Sequence, residues 1–566
     1  MAENERPMTG AQGVARVLAQ AGIELVVGMP GGYTGAIFDA LYDYKDGIRT
    51  LLVREEALGT AMAEAYGRLT GKPAVVMGQG AWVLTNAGAG IVEANTGCSP
   101  MIILVDFSEG GPFAHHAPYQ SGAGHYGSYD LQRGFEAITR RTFVARDPVQ
   151  AVQLTQLAYK HAVTGAPGPI AVVFDSAAVN RRLEPETRPA IHWGGNYLAE
   201  ANLLPRDELL DAAAETIRSA NRPVIIAGNG VRLSKAEETL RRFSEALDIP
   251  VATTAAGKGT FPEDHALSAG VIGTFGNDWA NAIVGDADVV IAVGTRLSAT
   301  DLANDNPKLL DPARQTLIQV DVDPLNAAWT QPAAHALVGD ADQVLTALRQ
   351  RLSESATGGT ERVAEARRQY GFGQPAGADG TPISARRAVS VLSEALPNDA
   401  IVTCDAGENR LFMLHDFRAI GRRRFLQPNA TGGMGYAIPA ALGARYAFPD
   451  APVFAVCGDG GFAMTMHGLM TSIEENLPIV TVVLNNQALG WVLHGQGNRP
   501  IASEFHPFDH AKIAEAIGCA AFKVSDEAGL RQAIPQALAA GRPAVIEVMT
   551  SRDDTFQHVL AAVAKA

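Results

Sequence analysis

The chain of 566 residues has few cysteines, and their positions exclude two classes of protein. Its four cysteines are Cys98, Cys404, Cys457 and Cys519. They show neither the close spacing of metal ligands nor the density of a disulfide framework. Three of them lie in or beside apolar runs, so we expect buried, reduced thiols and a cytoplasmic protein.

The sequence also lacks runs of basic residues and long apolar segments. Its formal net charge is −14, with no cluster of Lys and Arg, so we expect no nucleic-acid partner. No apolar stretch reaches the length that a membrane span requires, and the first residues do not resemble a signal peptide. We therefore expect neither membrane insertion nor secretion.

What is present indicates a large α/β protein. A content of 58 glycines, 47% hydrophobic and 19% charged residues is typical of globular chains rich in tight turns. The length exceeds what one core accommodates. We predict three doubly wound parallel-sheet domains over 1–185, 200–350 and 380–566, with linkers at 180–205 and 352–381.

The most informative stretch covers residues 453–491. An apolar run, VFAVC, ends at Gly458-Asp459-Gly460-Gly461, and a second predicted strand, 479–484, ends at Asn485-Asn486. With a helix predicted over 462–475, both strand ends should reach the same edge of a sheet, so Asp459 and Asn486 should meet there. A carboxylate and an amide oxygen beside a glycine turn suit a hard cation that bridges a diphosphate.

This GDG-to-NN pattern resembles the signature of thiamine diphosphate-dependent enzymes, and the local sequence is similar to their acetohydroxyacid (acetolactate) synthase-like family. The resemblance implies that Mg²⁺ is held by Asp459, Asn486 and the carbonyl of Ala488. It also implies cofactor binding by the residues of the two turns, which are Gly458, Asp459, Gly460, Gly461, Asn486, Ala488, Leu489 and Gly490.

A second resemblance lies near the N-terminus, where REEALGTAMAEAYGRLTGKPAVV is similar to the family's RHEQGA segment. The family's glutamate, which contacts the aminopyrimidine of the cofactor and is catalytic, falls on Glu56. Glu55 replaces the family's histidine, and its charge would simply favour the start of a helix. Gly31 and Asn86 are assigned to cofactor binding. The usual loop before Asn86 is replaced by one with Trp82, which is either a core residue or a pocket wall.

Three further residues are assigned to catalysis from similar segments. A strand predicted over 98–105 precedes a long loop, in which His115 and His116 resemble the paired histidines of related 2-oxo acid decarboxylases. Gln132 occupies the place of an active-site glutamine of the synthases. The alternative for the two histidines is a surface loop without a catalytic role.

The last domain carries two more family-like segments. A strand predicted over 400–404 leads to DAGEN, where the family has DxGQHQ, and the following NATGGMGY resembles GGLGTMGYG. These assign five residues to cofactor binding: Gly407, Glu408, Asn409, Gly433 and Met434. Met434 would be wedged beneath the cofactor, as an unbranched thioether can fill the gap between two rings, or it is an ordinary core methionine.

The middle domain offers a weaker signal. Predicted strands at 223–227, 288–293 and 316–322 end in a Gly228-Asn229-Gly230 turn and in Asp321 and Asp323, which could cradle FAD. The same glycines occur where a fold merely turns. The family's RFDDR element reads Arg296 to Thr300 here and loses its last arginine, which argues against FAD and against a second 2-oxo acid.

Taken together, the resemblance implies a C–C lyase or carboligase that forms an acyl-anion equivalent from pyruvate, another 2-oxo acid or an α-diketone. A carbonyl compound such as an aldehyde would accept the acyl group. Alternatives within the superfamily are acetolactate synthase proper, a 2-oxo acid decarboxylase and a flavin-dependent oxidase, and a remote one is a non-catalytic scaffold. The family's active sites lie between subunits, so a homodimer or a dimer of dimers is expected.

Overall fold

The computed structural model describes residues 8–107, 120, 122–124, 128–192, 197–198, 203–355, 357–374 and 376–565. It contains three six-stranded sheets in which every strand pairing is parallel. The predicted fold class is thereby confirmed. Parallel sheets covered by helices on both faces bury their inner strands, which is why inner strands such as β5 and β18 are fully buried.

The first sheet is built from strands of the N-terminal third. They are β2 (Leu25–Gly28), β3 (Arg49–Leu52), β4 (Ala74–Gln79), β5 (Met101–Asp106), β6 (Arg141–Ala145) and β7 (Pro169–Phe174), in the order β3-β2-β4-β5-β7-β6. Two short strands, β1 (Met8–Thr9) and β8 (Arg182–Leu183), pair antiparallel beside it. The helices are α1 (Gly10–Gln20), α2 (Gly35–Leu41), α3 (Glu56–Thr70), α4 (Gly80–Asn86), α5 (Gly88–Gly97), α6 (Leu131–Ile138), α7 (Pro148–Val163) and α8 (Ser176–Asn180).

The middle sheet has the order β11-β10-β9-β12-β13-β14. Its strands are β9 (Val224–Ala227), β10 (Val251–Thr253), β11 (Ser268–Val271), β12 (Val289–Val293), β13 (Thr316–Asp321) and β14 (His335–Val338). The helices are α9 (Asp207–Ser219), α10 (Asn229–Leu233), α11 (Glu237–Leu247), α12 (Asp278–Gly285), α13 (Ala341–Arg351) and α14 (Gly359–Gln369).

The last sheet has the order β16-β15-β17-β18-β20-β19. Its strands are β15 (Ile401–Cys404), β16 (Arg424–Leu426), β17 (Val453–Gly458), β18 (Val480–Asn485), β19 (Ala520–Val524) and β20 (Ala544–Met549). The helices are α15 (Ala385–Ala395), α16 (Glu408–His415), α17 (Ala437–Ala447), α18 (Asp459–Thr465), α19 (Gly468–Glu474), α20 (Gly490–Gln496), α21 (His510–Ile517), α22 (Glu527–Ala539) and α23 (Ala562–Lys565).

The chain forms two compact units. The first comprises Met1–Glu200, Leu442–Pro449 and His467–Leu477, and the second comprises Ala201–Ala441, Asp450–Met466 and Pro478–Ala566. The middle and last sheets therefore belong to one unit. The three domain boundaries drawn from the sequence stay predictions.

Several local predictions were wrong. The strand expected over 98–105 begins only at Met101, because Cys98 adopts a left-handed backbone with φ 57° and ends α5. The single helix expected over 462–475 is two helices, α18 and α19, which are separated at Met466 and His467. The linker expected over 352–381 contains α14.

Among the described residues, no helix combines the length and the apolar character that crossing a bilayer requires. All four cysteines are free, and Cys404, Cys457 and Cys519 are buried, as expected, whereas Cys98 is half-buried.

Candidate active site

A cleft opens at the carboxyl edge of the last sheet, at the point where the strand order reverses. From β15 the chain moves outward to β16 and then returns to β17 on the other side of β15. The loops after β15 and β17 consequently diverge, and ligands of doubly wound sheets bind in such a crevice. The cleft is lined by residues of the loops after β15, β17 and β18, among them Gly407, Asp459 and Asn486.

The three predicted metal ligands lie together in this cleft. Asp459 begins α18 and is only 5% exposed. The backbone N–H of Ala488 donates to Asp459 Oδ2 at 3.2 Å and to Asn486 Oδ1 at 3.0 Å. Burial raises the pKa of Asp459, and a bound cation would stabilise its charged form. The strand-end argument thus places these residues correctly, and their role as ligands stays a prediction.

Three glycines of this cleft leave no room for a side chain, because a Cβ at any of them would collide with a neighbouring residue. A Cβ at Gly461 would lie 1.9 Å from Asp405 Oδ2, and one at Gly460 would lie 2.8 Å from Met434 Cε. A Cβ at Gly490 would lie 2.5 Å from Glu408 Oε2. At these positions the backbone therefore approaches its neighbours more closely than a residue with a side chain would allow.

Asp405 holds the backbone of the segment that carries Met434, and no role was predicted for it from the sequence. Its carboxylate accepts hydrogen bonds from the backbone N–H groups of Gly435 at 3.0 Å, Tyr436 at 2.6 Å and Ala437 at 2.7 Å. Burial raises the pKa of Asp405 to about 6 despite these donors. Asp405 thereby fixes the start of α17 and the turn that carries Met434. Its place directly after a buried strand was the signal that could have identified it.

Glu408 and Asn409, which follow Asp405, point to different partners. Glu408 is 6% exposed and lies beside the His494 ring, with its carboxylate oxygens 2.8 and 2.9 Å from Nδ1. Burial raises the pKa of Glu408, and His494 opposes that shift. The Asn409 amide instead donates to the Asp405 carbonyl at 3.1 Å. Gly407, with φ 106°, makes the turn between strand and helix. His494 was not predicted.

Aromatic side chains form another wall of the cleft. Trp491 lines it and stacks on Phe556, with ring centroids 5.8 Å apart and an interplanar angle of 23°. The Phe275 ring contacts the Trp491 ring edge to face, with ring centroids 5.6 Å apart. Met434 and Leu489 also line the cleft. Gly495, one helical turn after Trp491, has no atom within 4 Å of its Cβ position among the described residues. Gly433, half-buried, directly precedes Met434.

In the first unit, two predicted cofactor residues contact each other. Glu56 is the first residue of α3, is 5% exposed, and accepts a hydrogen bond from Asn86 Nδ2 at 3.1 Å. Its neighbour Glu55 is the N-cap of α3 and accepts from the Leu58 N–H at 3.3 Å. The two adjacent acids therefore differ as expected. Glu55 supports the helix start, and Glu56 presents a buried carboxylate.

The remaining predicted residues of the first unit have other surroundings. Gly31 lies against the Gln79 side chain, in a loop whose backbone is held by the buried Asp106. Trp82 is 45% exposed, so the core alternative for it was wrong. Gln132 is half-buried and donates to Glu136 at 2.8 Å on its own helix. His115 and His116 lie outside the described residues.

In the middle sheet, the glycine turn has a structural explanation. A Cβ at Gly228 would lie 2.3 Å from the Gly294 carbonyl oxygen, and one at Gly230 would lie 2.5 Å from Gly294 Cα. The loops after β9 and β12 thus approach each other backbone to backbone at the reversal of strand order. Asp321, at the end of β13, accepts from the Asp323 N–H at 2.9 Å.

Comparisons with known proteins agree with the three sheets. Three family models match the chain: the N-terminal TPP binding domain of thiamine pyrophosphate enzymes over residues 8–119, their central domain over 210–348 and their C-terminal TPP binding domain over 405–548.

Three relatives extend the match to nearly the whole chain. A probable acetolactate synthase large subunit of Methanocaldococcus jannaschii is 30% identical, covering 96% of this chain and 92% of that protein. The acetolactate synthase large subunit of Corynebacterium glutamicum is 30% identical, covering 96% and 87%. A probable 2-ketoarginine decarboxylase of Pseudomonas aeruginosa is 32% identical, covering 92% and 90%.

These matches confirm the resemblance read from the GDG and NN motifs. The cleft at the end of β17 lies within the matched C-terminal TPP binding domain, and Glu56 lies within the matched N-terminal one. The chain belongs to the thiamine pyrophosphate enzymes and is an enzyme of their acetolactate synthase-like family.

Proposed function

We propose that this enzyme is a thiamine diphosphate- and Mg²⁺-dependent carboligase that transfers an acyl group from pyruvate, another 2-oxo acid or an α-diketone to an uncharged aldehyde or ketone. The observation that carries the proposal is the cleft in which Asp459, Asn486 and Ala488 converge beside Trp491.

In this proposal, Asp459, Asn486 and the carbonyl of Ala488 hold Mg²⁺, and the glycine turns hold the diphosphate. Mg²⁺ prefers oxygen ligands and keeps several waters, so a site with one carboxylate is sufficient. The described residues contain no cluster of three His, Cys, Asp or Glu side chains that could hold a metal. A site made of a carboxylate, an amide and a carbonyl does not depend on such a cluster.

When bound, thiamine diphosphate supplies the electron sink for carbon–carbon bond cleavage and formation. Glu56 would hold a proton at the pyrimidine ring of the cofactor, and its hydrogen bond to Asn86 would fix the carboxylate in position. Met434 would support the cofactor from below, since its methyl group already reaches the glycine turn. The aromatic wall around Trp491 would exclude water.

The surroundings of Thr300 favour an uncharged acceptor. A carboxylate acceptor is best held by a bidentate arginine, and Thr300 stands where the family has one. The Thr300 carbonyl accepts from the Thr274 N–H at 3.1 Å, and the next residue, Phe275, contacts Trp491. The synthases that the sequence resembles have a tryptophan a few residues after the NN motif, and Gly495 occupies that position here. No atom lies within 4 Å of its Cβ position among the described residues.

The experiment is product identification with pyruvate as donor and a panel of acceptors. We expect neutral aldehydes and ketones to be used faster than 2-oxobutyrate. Gly495→Trp should narrow the range of accepted carbonyls, because it fills the open space, and Gly495→Ala should keep the range. Faster condensation of pyruvate with 2-oxobutyrate than with every neutral acceptor would show that the enzyme is an acetolactate synthase proper.

A 2-oxo acid decarboxylase is the second candidate, favoured by the similarity to the Pseudomonas aeruginosa protein. It is distinguished by the release of carbon dioxide and free aldehyde in the absence of any acceptor.

We further propose that the enzyme acts in the cytoplasm as a homodimer or a dimer of dimers. The four free cysteines fit a reducing compartment. One cofactor must reach both Glu56 and Asp459, and in this proposal the two come from different subunits. Light scattering after gel filtration would test the assembly, and a monomer with full activity would contradict it.

A further inference from the structure

Glu408 brings a carboxylate to the place where the proposed diphosphate would bind. It lines the cleft together with two other acids, Asp459 and Asp554. No Lys or Arg is among the described residues that line it. The related synthases have a neutral glutamine at the position of Glu408. A buried carboxylate beside a diphosphate is repulsive unless a positive charge compensates it.

The contacts of His494 show how this charge is compensated. Nδ1 lies 2.8 and 2.9 Å from the two Glu408 oxygens, and Nε2 lies 3.1 Å from the carbonyl oxygen of Arg552. A carbonyl carries no proton, so Nε2 must be the donor in that contact. A second proton must then lie between Nδ1 and the carboxylate. Whether the ring or Glu408 holds it, the pair as a whole is neutral.

We propose that His494 is the resident counter-charge of Glu408 and that the pair makes this cleft acceptable to a diphosphate. His494 is then a positioning residue that acts on the cofactor through Glu408. The inference rests on the proposed function of the cleft.

A purely structural role for the pair makes a different prediction. The Phe556 N–H also donates to Glu408 Oε1 at 2.8 Å, so the carboxylate holds the 3₁₀ turn Phe556–Val559 that carries the aromatic partner of Trp491. If this tether were the whole role, removing His494 would lower stability without a specific effect on diphosphate binding. Restoring neutrality at Glu408 would then not help.

The test is a set of three variants: His494→Gln, Glu408→Gln and the double variant. For each, the dissociation constant of thiamine diphosphate with excess Mg²⁺ is measured by titration calorimetry, and inorganic diphosphate with Mg²⁺ serves as a competing probe. The melting temperature of the cofactor-free protein is measured in parallel. His265→Gln is the matched control, because His265 pairs with Glu245 in the middle domain at 3.1 Å.

We expect His494→Gln to weaken binding of both diphosphates by about 10- to 100-fold, the range that one lost charge-assisted hydrogen bond represents. Glu408→Gln is the reference for the double variant, since a glutamine can accept from Phe556 and donate to a neutral His494. The double variant should bind within about threefold of Glu408→Gln, and His265→Gln should have no effect.

Two results would overturn the inference. One is thiamine diphosphate binding by His494→Gln that equals the wild type. The other is a double variant that binds as weakly as His494→Gln. Failure of the wild type to bind thiamine diphosphate with Mg²⁺ would instead overturn the proposed function of the cleft, and with it this inference.

Discussion

Replacing Glu56 by Gln separates its proposed proton-holding role from its structural one. The substitution keeps the shape of the side chain, and the new amide can turn its oxygen toward Asn86 Nδ2, which now lies 3.1 Å from the carboxylate. The substitution should therefore lower the free energy of unfolding by about 1 kcal/mol, which is the difference between a hydrogen bond to a charged acceptor and one to a neutral acceptor. Loss of acid–base function is far larger, typically about 100- to 10,000-fold in rate.

We therefore expect Glu56→Gln to bind thiamine diphosphate within about tenfold of the wild type and to lose nearly all turnover at saturating cofactor. Turnover is measured as product formed from pyruvate, and binding by calorimetry on the same preparation. Glu55→Gln is the matched control, because Glu55 only caps α3 and should change turnover by less than about threefold. Turnover near the wild-type value in Glu56→Gln would remove Glu56 from the mechanism, and equal losses in both variants would point to a structural cause.

Three further predictions concern the proposed metal site, the packing at two glycines and the middle domain. Asp459→Ala should abolish Mg²⁺-dependent retention of thiamine diphosphate on gel filtration, since it removes the only charged ligand proposed for the metal; retention that survives chelation would show that the diphosphate is anchored elsewhere. Gly461→Ala should lower the free energy of unfolding by about 1 to 3 kcal/mol in urea titrations, because its Cβ would lie 1.9 Å from Asp405 Oδ2. By contrast, Gly495→Ala, in open space on a helix, should be neutral or raise it by up to about 1 kcal/mol; equal effects of the two would refute the packing argument. We also expect no flavin absorption bands in freshly purified protein, with or without added FAD, because Thr300 replaces an arginine and the glycine turn is already filled by Gly294; a flavin spectrum would contradict this.

The sheets and their polar edges could be predicted from the sequence for one physical reason. A parallel strand buried on both faces must be apolar throughout, so it ends where polar residues or glycines begin. Asp459 and Asn486 occupy such ends, and topology then brings them to one edge. Glu56 could not be singled out by this rule, because β3 is largely exposed; it was assigned from the resemblance of its segment to the family's.

Other features could not be predicted from the sequence. Some depend on partners that are distant along the chain, and others have no periodic apolar pattern. Arg68 is fully buried with Glu64 and Glu93, although charged residues on a helix indicate a solvated face. Helix α14 buries mainly Val363 and Ala366, too little for an apolar stripe, so its sequence was taken for a linker. The three donors to Asp405 lie about thirty residues further along the chain, and only the folded sheet brings them together.

Two features of the proposals above meet on one short helix, α20. Gly490 and His494 are four residues apart and share the face that meets Glu408, where a side chain at Gly490 would collide with the carboxylate. Trp491 and Gly495 have the same spacing one residue on, and carry the aromatic wall and the open space. In the proposals above, the first row sets the charge beside the cofactor and the second row sets the shape of the acceptor site. If both proposals hold, a glutamate at position 408 requires a proton-bearing partner on the first row, and the second row can vary independently of that requirement.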